Sequence, residues 1–237
     1  YTPYNLEKSV NICSKLIDVL KKIEKHGDIV GENGILVIPS VSNMSMDFGK
    51  RFWISDDTDL NRLFPGNPSG ESGSRVAYAI METTKGYRYG IHLPSFYLGG
   101  TFMPHIRLLD PEHGSTSLAN LFGLPYVIEA KSRPFDRTTL HNNWQRNGTE
   151  AFSLYTGMTG KIDDELAAQA VSSILRFLTR MGIIRYYSHS GYIASVLKEG
   201  DLEPIMTEAA GIFIKKAECG QEVSRGDVLA QIMKADS

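Results

Sequence analysis

The stretch "RFWISDDTDLNRLFPG" (residues 51–66) joins an acidic run to an Asn-Arg pair and a Phe-Pro-Gly turn. The fold is read most directly from it, and its neighbours supply the context. An Arg beside an Asn at the end of a sheet strand can clamp a carboxylate through two parallel hydrogen bonds and a third donor. Asp59 is placed to hold the Arg62 guanidinium from behind. The same residues also make a surface loop with a structural ion pair, which contributes little. The residues alone leave both readings open.

Upstream, Leu6, Val10, Cys13, Leu16, Ile17, Leu20 and Ile23 recur every three or four positions. That spacing predicts a helix over residues 6–25 with one apolar face. "GILVIPSV" then reads as a short strand buried on both faces, as in a parallel or mixed α/β sheet. Downstream, the Gly-, Pro- and Ser-rich loop "PGNPSGESGSR" leads into a helix running to about Thr84, with Ser72 or Ser74 as its cap. "RYGIHL" and "LPYVIEA" are further strand candidates. Residues 163–181 form the clearest helix, capped by Asp163 or Asp164 and closed by Gly182. Beyond it the chain becomes β-rich, and alternation in "GIFIKKAECGQEV" and "DVLAQIMKA" fits a small β-sandwich or barrel.

The chain has 237 residues and a net charge of −2, with 42% hydrophobic and 22% charged residues. That length allows one large domain, or a medium one plus a small one. No block of like charge speaks for a nucleic-acid groove. No apolar run approaches the ~20 residues of a membrane helix. Cys13 and Cys219 are far apart and form neither a zinc knuckle nor a disulfide framework. A cytoplasmic setting is the expectation.

"DLNRLFPG", preceded by "ILVIPSVSN" and an Arg, resembles the succinylglutamate desuccinylase/aspartoacylase family of zinc-dependent deacylases. The order of elements along nearly the whole chain is similar as well. The resemblance implies a zinc-carboxypeptidase-like fold, a mixed α/β sheet with helices on both faces. It places a deacylase domain over residues 1–186 and a small barrel-sandwich-like β-domain over 187–237. It implies a hydrolase cleaving an amide in an N-acyl amino acid or small peptide, a small-molecule substrate that carries a carboxylate. Asn61 and Arg62 would bind that carboxylate. Arg51 would polarise the scissile carbonyl, although its spacing to Asn61 is longer than in the aspartoacylases. His92, at the end of "YGIHL", would bind zinc, with flanks that depart from the family's Asp-Leu-His-Thr. The family's other two ligands form a His-x-x-Glu motif, expected upstream of Tyr1. His105 and Arg107 in "MPHIR" match a Pro-His-x-Arg stretch of related deacylases and would line the pocket. The residues alone equally fit a strand or loop at the sheet edge.

One departure bears on the chemistry. The family's general base is a Glu where "EAFSLYTG" carries Tyr155. A carboxylate suits proton transfer near neutral pH, whereas an unperturbed phenol has a pKa near ~10. Glu129 is the preferred substitute. Glu150 lies an odd number of positions from Tyr155 and would point to the other face. Residues 132–152 form a polar stretch expected to cover the pocket, with Arg133, Asp136, His141 and Asn143 as candidate contacts. Lys215 and Lys216 lack the flanks of a carrier lysine, so the C-terminal domain reads as a packing or oligomerisation module. "EKHGDIVG" (24–31) spells part of a zinc motif, but Ile29 stands three after His26, so the triplet reads as a helix-ending turn. The alternative function is a carboxylate-binding protein on the same scaffold, without metal or base.

Overall fold

A computed structural model describes residues 4–50, 52–94, 100–110, 116–158, 162–188 and 190–234. Helix α1 (Tyr4–Lys25) buries Ile12, Cys13, Leu16, Leu20 and Ile23 along one stripe. It ends as expected, with Gly27 at φ 75°. The exposed His26 ring bonds back to the Lys22 carbonyl at 2.6 Å.

The "GILVIPSV" segment is not a strand. Residues 34–41 belong to no helix or strand, and Leu36 and Val41 are exposed. An apolar run becomes a strand only where a neighbour takes its backbone groups. None does so among the described residues. The nearest pairing is an isolated bridge between Ile29 and Ile184.

Helix α2 (Asn43–Asp47) and a 3₁₀ turn (Leu60–Arg62) precede α3 (Ser72–Thr83). Neither candidate serine caps α3. Glu71 stands at the cap position, and Ser72 opens the helix while its hydroxyl accepts from Trp53 Nε1 at 2.7 Å. Then come β1 (Tyr89–His92), β2 (Thr101–Leu109), α4 (Thr116–Asn120) and β3 (Tyr126–Ala130). A second 3₁₀ turn (Pro134–Thr138) leads into α5 (Leu140–Arg146), β4 (Glu150–Met158) and α6 (Asp164–Arg180). Asp163 caps α6 by accepting from the amides of Glu165 and Leu166, and Gly182 follows its end at φ 70°.

Strand β5 (Ser195–Lys198) completes a mixed five-stranded sheet in the order β1-β4-β2-β3-β5. Thus β5 lies beyond the boundary expected at 187 but pairs in parallel with β3. "MPHIR" lies in β2, the central strand, and not at an edge. Its proline is tolerated because the β2–β4 register shifts between Phe102 and His105, where a ladder donor is dispensable. Strands β6 (Ile212–Lys215) and β7 (Ala230–Met233) form a separate antiparallel pair.

The sheet has two unlike faces. Ile106, Leu108, Val127, Phe152 and Leu154 pack with α1, α4 and α6 around Phe122 and Phe177. Phe122 and Phe177 stack with centroids 4.3 Å apart, and Phe152 packs 5.2 Å from each. Helix α5 covers part of the opposite face, with Trp144 and Ala151 in a smaller cluster with Phe64, Ala77, Ile80 and Met81 of the α3 side. Gly90 is required there, because a β-carbon would come within 2.5 Å of the Trp144 ring.

Candidate functional site

Register assigns the site residues to a face. His92 of β1 pairs with Ser153 of β4, and Ser153 pairs with Arg107 of β2. One row therefore carries His92, Ser153 and Arg107 on the α5 side of the sheet. The next row on that face carries Tyr155 and His105, whose rings stack at 5.0 Å. The His105 ring is fixed by a 2.8 Å bond between Nδ1 and the Met103 carbonyl, which leaves Nε2 as the acceptor.

Helix α5 brings His141 onto this row. Its Nδ1 lies 2.8 Å from the Ser153 hydroxyl. The ring is buried at 3% exposure, and among the described residues Nε2 has no hydrogen-bond partner. Such an orphan costs about 1–3 kcal/mol and is uncommon in folded proteins. Burial holds the His141 pKa down to about 3, helped by His92 and Arg107 and opposed by Asp110. Burial likewise lowers His92 to about 4, against the pull of Asp59. Both imidazoles are neutral at pH 7. His105 is also shifted down, chiefly by burial.

The Asn61–Arg62 turn forms the rim. Asp59 Oδ1 accepts from the Asn61 amide at 3.0 Å, which shapes the turn. Asn61 Oδ1 accepts from the Leu140 amide at 3.0 Å and so ties the turn to the start of α5. Arg62 donates to the Phe135 carbonyl at 2.9 Å, lies over the Phe135 ring, and stands 3.9 Å from the buried Asp136 carboxylate. The two residues read from the sequence as a ligand clamp thus also hold together the 3₁₀ turns and α5. Of the stretch expected to cover the pocket, the second 3₁₀ turn and α5 lie against the sheet with His141, Asn142, Asn143 and Trp144 buried, while residues 150–152 belong to β4 itself. Arg133 is exposed and pairs with Glu199, whereas Asn143 bonds the carbonyls of Arg137 and Thr139.

Glu129 is a correction. It pairs in register with Leu108, whose side chain belongs to the apolar face, and it accepts from Thr116 Oγ1 at 2.6 Å. Odd and even positions of β3 face opposite ways, so Glu129 is on the far side of the sheet from Tyr155. Glu150 shares that far face through its register with Tyr89. Arg51 lies outside the described residues. Ser153 was not singled out from the sequence. The signal was present in Ser153-Leu154-Tyr155, whose period of two puts Ser153 on the face of Tyr155.

A zinc site needs three protein donors and an open position. His92 is a fitting donor, a neutral imidazole at a strand end. Among the described residues no group of three His, Cys, Asp or Glu side chains is placed to hold a metal. The described residues therefore do not make a zinc site by themselves.

No family model matches the chain, and no curated protein matches it in sequence. Solved structures do match. A succinylglutamate desuccinylase/aspartoacylase from Rhodobacter sphaeroides has a TM-score of 0.69 at 20% identity, over 84% of this chain and 62% of that one. The product-bound ectoine utilization protein EutE (DoeB) from Ruegeria pomeroyi has a TM-score of 0.66 at 19% identity, over 85% and 63%. An aspartoacylase family protein from Mesorhizobium loti has a TM-score of 0.74 at 18% identity, over 97% and 69%. The chain spans 62% of the length of the first of these relatives. The chain therefore has the fold of the succinylglutamate desuccinylase/aspartoacylase proteins, at identities that place it far from each of them.

Proposed function

We propose that the chain belongs to a divergent branch of these deacylases and is a hydrolase that cleaves the amide of an N-acyl amino acid or small peptide bearing a carboxylate. One observation carries this reading. The Asn61–Arg62 turn, α5, His92 at the end of β1, and Arg107 of β2 converge on the polar face of the sheet. In open α/β sheets, ligands bind beside strand ends. Asn61 and Arg62 would grip the substrate carboxylate from the rim, with Asp136 orienting the guanidinium. Arg107 and His105 would line the floor, and Arg51 would face the scissile carbonyl. Tyr155 would supply a hydroxyl where the family carries its Glu. Zinc, when bound, would take one imidazole from His92 and would supply an activated water. A homo-oligomer in the cytoplasm remains part of this reading.

A second reading is favoured by the carboxylates. Glu129 and Glu150 both belong to the far face, and Tyr155 stands at the base position. A protein that binds a carboxylate ligand without turning it over would fit that arrangement. Metal content and turnover separate the two. The hydrolase reading expects stoichiometric zinc by mass spectrometry and release of free amino acid from an N-acyl amino acid. Carboxylate binding without zinc or release would leave the binding protein. In either case Arg62→Ala should weaken carboxylate binding at least about tenfold, as expected for a lost charge-assisted pair. Unchanged affinity would refute the clamp.

A further inference from the structure

We propose that His141 contacts the bound molecule directly, offering Nε2–H beside the Arg107 guanidinium to one carboxylate of the ligand. The proposal rests on the reading of this face as the substrate site. His141 is fully enclosed, yet only one of its two ring nitrogens is used. The Ser153 hydroxyl lies 2.8 Å from Nδ1, and a carboxylate at Nε2 would select the neutral tautomer with its proton on Nε2 and the hydroxyl donating to Nδ1. Among the described residues Nε2 has no hydrogen-bond partner.

Arg107 supplies the second element. It is half-buried and shares its row with Ser153, so it lies under the same helix. Among the described residues no carboxylate pairs with it. It is close enough to disfavour a proton on His141. The Arg107 guanidinium and the unpartnered His141 Nε2 share this corner. A carboxylate there would answer the Arg107 charge and accept from His141 Nε2–H. Asp110, the acid that acts on His141, already accepts from the Ser132 amide at 2.9 Å.

Acetate binding to the full chain tests this, with the histidine ring N–H resonances followed by NMR and the affinity measured by calorimetry. The His141 Nε2–H signal should shift as acetate saturates. Arg107→Ala and His141→Leu should each weaken acetate about tenfold. His141→Gln, which keeps an N–H at the Nε2 position, should stay within about threefold of the parent. Gln also guards against a Leu variant that fails to fold. If His141→Leu binds acetate like the parent, or if Gln fails to rescue it, the proposal is wrong. Acetate binding that falls with Arg62→Ala alone would overturn the His141 role and leave the substrate site standing. No acetate binding by the parent would overturn both.

Discussion

The two faces of the central sheet are made by the same strands and carry opposite chemistries. On β4, Phe152 and Leu154 point to α1 and α6, while Ala151, Ser153 and Tyr155 point to α5. On β2, Ile106 and Leu108 join the first set, and His105 and Arg107 the second. The apolar face is closed by aromatic stacking and can tolerate no vacancy. The polar face is buried almost as deeply at His141 and Ser153; among the described residues it leaves His141 Nε2 without a hydrogen bond and Arg107 without an ion pair, while Tyr89 Oη and Glu150 Oε2 are unpartnered atoms of the other face. One face holds the fold together, and the other carries the polar groups of the proposed site.

Four perturbations break or sharpen this contrast. The largest effect should come from the apolar face. Phe152→Ala empties a position that is 0% exposed among Phe122, Phe177 and Leu154, and should cost about 3–5 kcal/mol in urea denaturation. A cost below about 1 kcal/mol would mean the face is not tightly packed.

Acid should strike the polar face next. His141 is held near 3 in the folded state and has an ordinary value of 6.5. Between those values the unfolded chain binds more protons, so stability should fall as pH drops from about 6.5 toward 3. His92, Arg107 and Asp110 are the charged or titratable groups acting on this ring. Denaturation curves recorded over that window should steepen in acid for the parent and flatten for His141→Gln. Equal slopes would show that His141 is not held neutral.

Gly90→Ala should be milder, costing about 1–3 kcal/mol by forcing the Trp144 ring off the sheet. It should also loosen α5 and weaken carboxylate binding without touching any proposed ligand contact. The smallest effect belongs to the β6–β7 pair, outside both faces. Ile212 is 59% exposed, and Ile212→Ser should change stability by less than about 0.5 kcal/mol. A larger loss would point to a packed role for that hairpin.

Much of this contrast was legible in the sequence. The period of α1 and α6, their ends at Gly27 and Gly182, and the strands ending in His92 and Ala130 follow from spacing and turn chemistry. The Asn61–Arg62 turn and the covering stretch at 132–152 were also found in place. What failed depended on pairing partners far away in the chain. "GILVIPSV" has the composition of a strand but finds no neighbour among the described residues. "MPHIR" fitted a pocket-lining stretch and a sheet edge equally, and the register shift at its proline admits it to the central strand. Glu129 was misplaced because the face of a residue on β3 is set by its register against β2, which local sequence does not encode. His141 was one of several polar candidates, and only its bond to Ser153 distinguishes it from its neighbours.

The most direct test of the polar face as a substrate site is to incubate the zinc-supplemented full chain with a panel of N-acyl amino acids and quantify free amino acid. Release from at least one member is expected, reduced at least about tenfold in Arg62→Ala. No release across the panel, or release unaffected by Arg62→Ala, would contradict it.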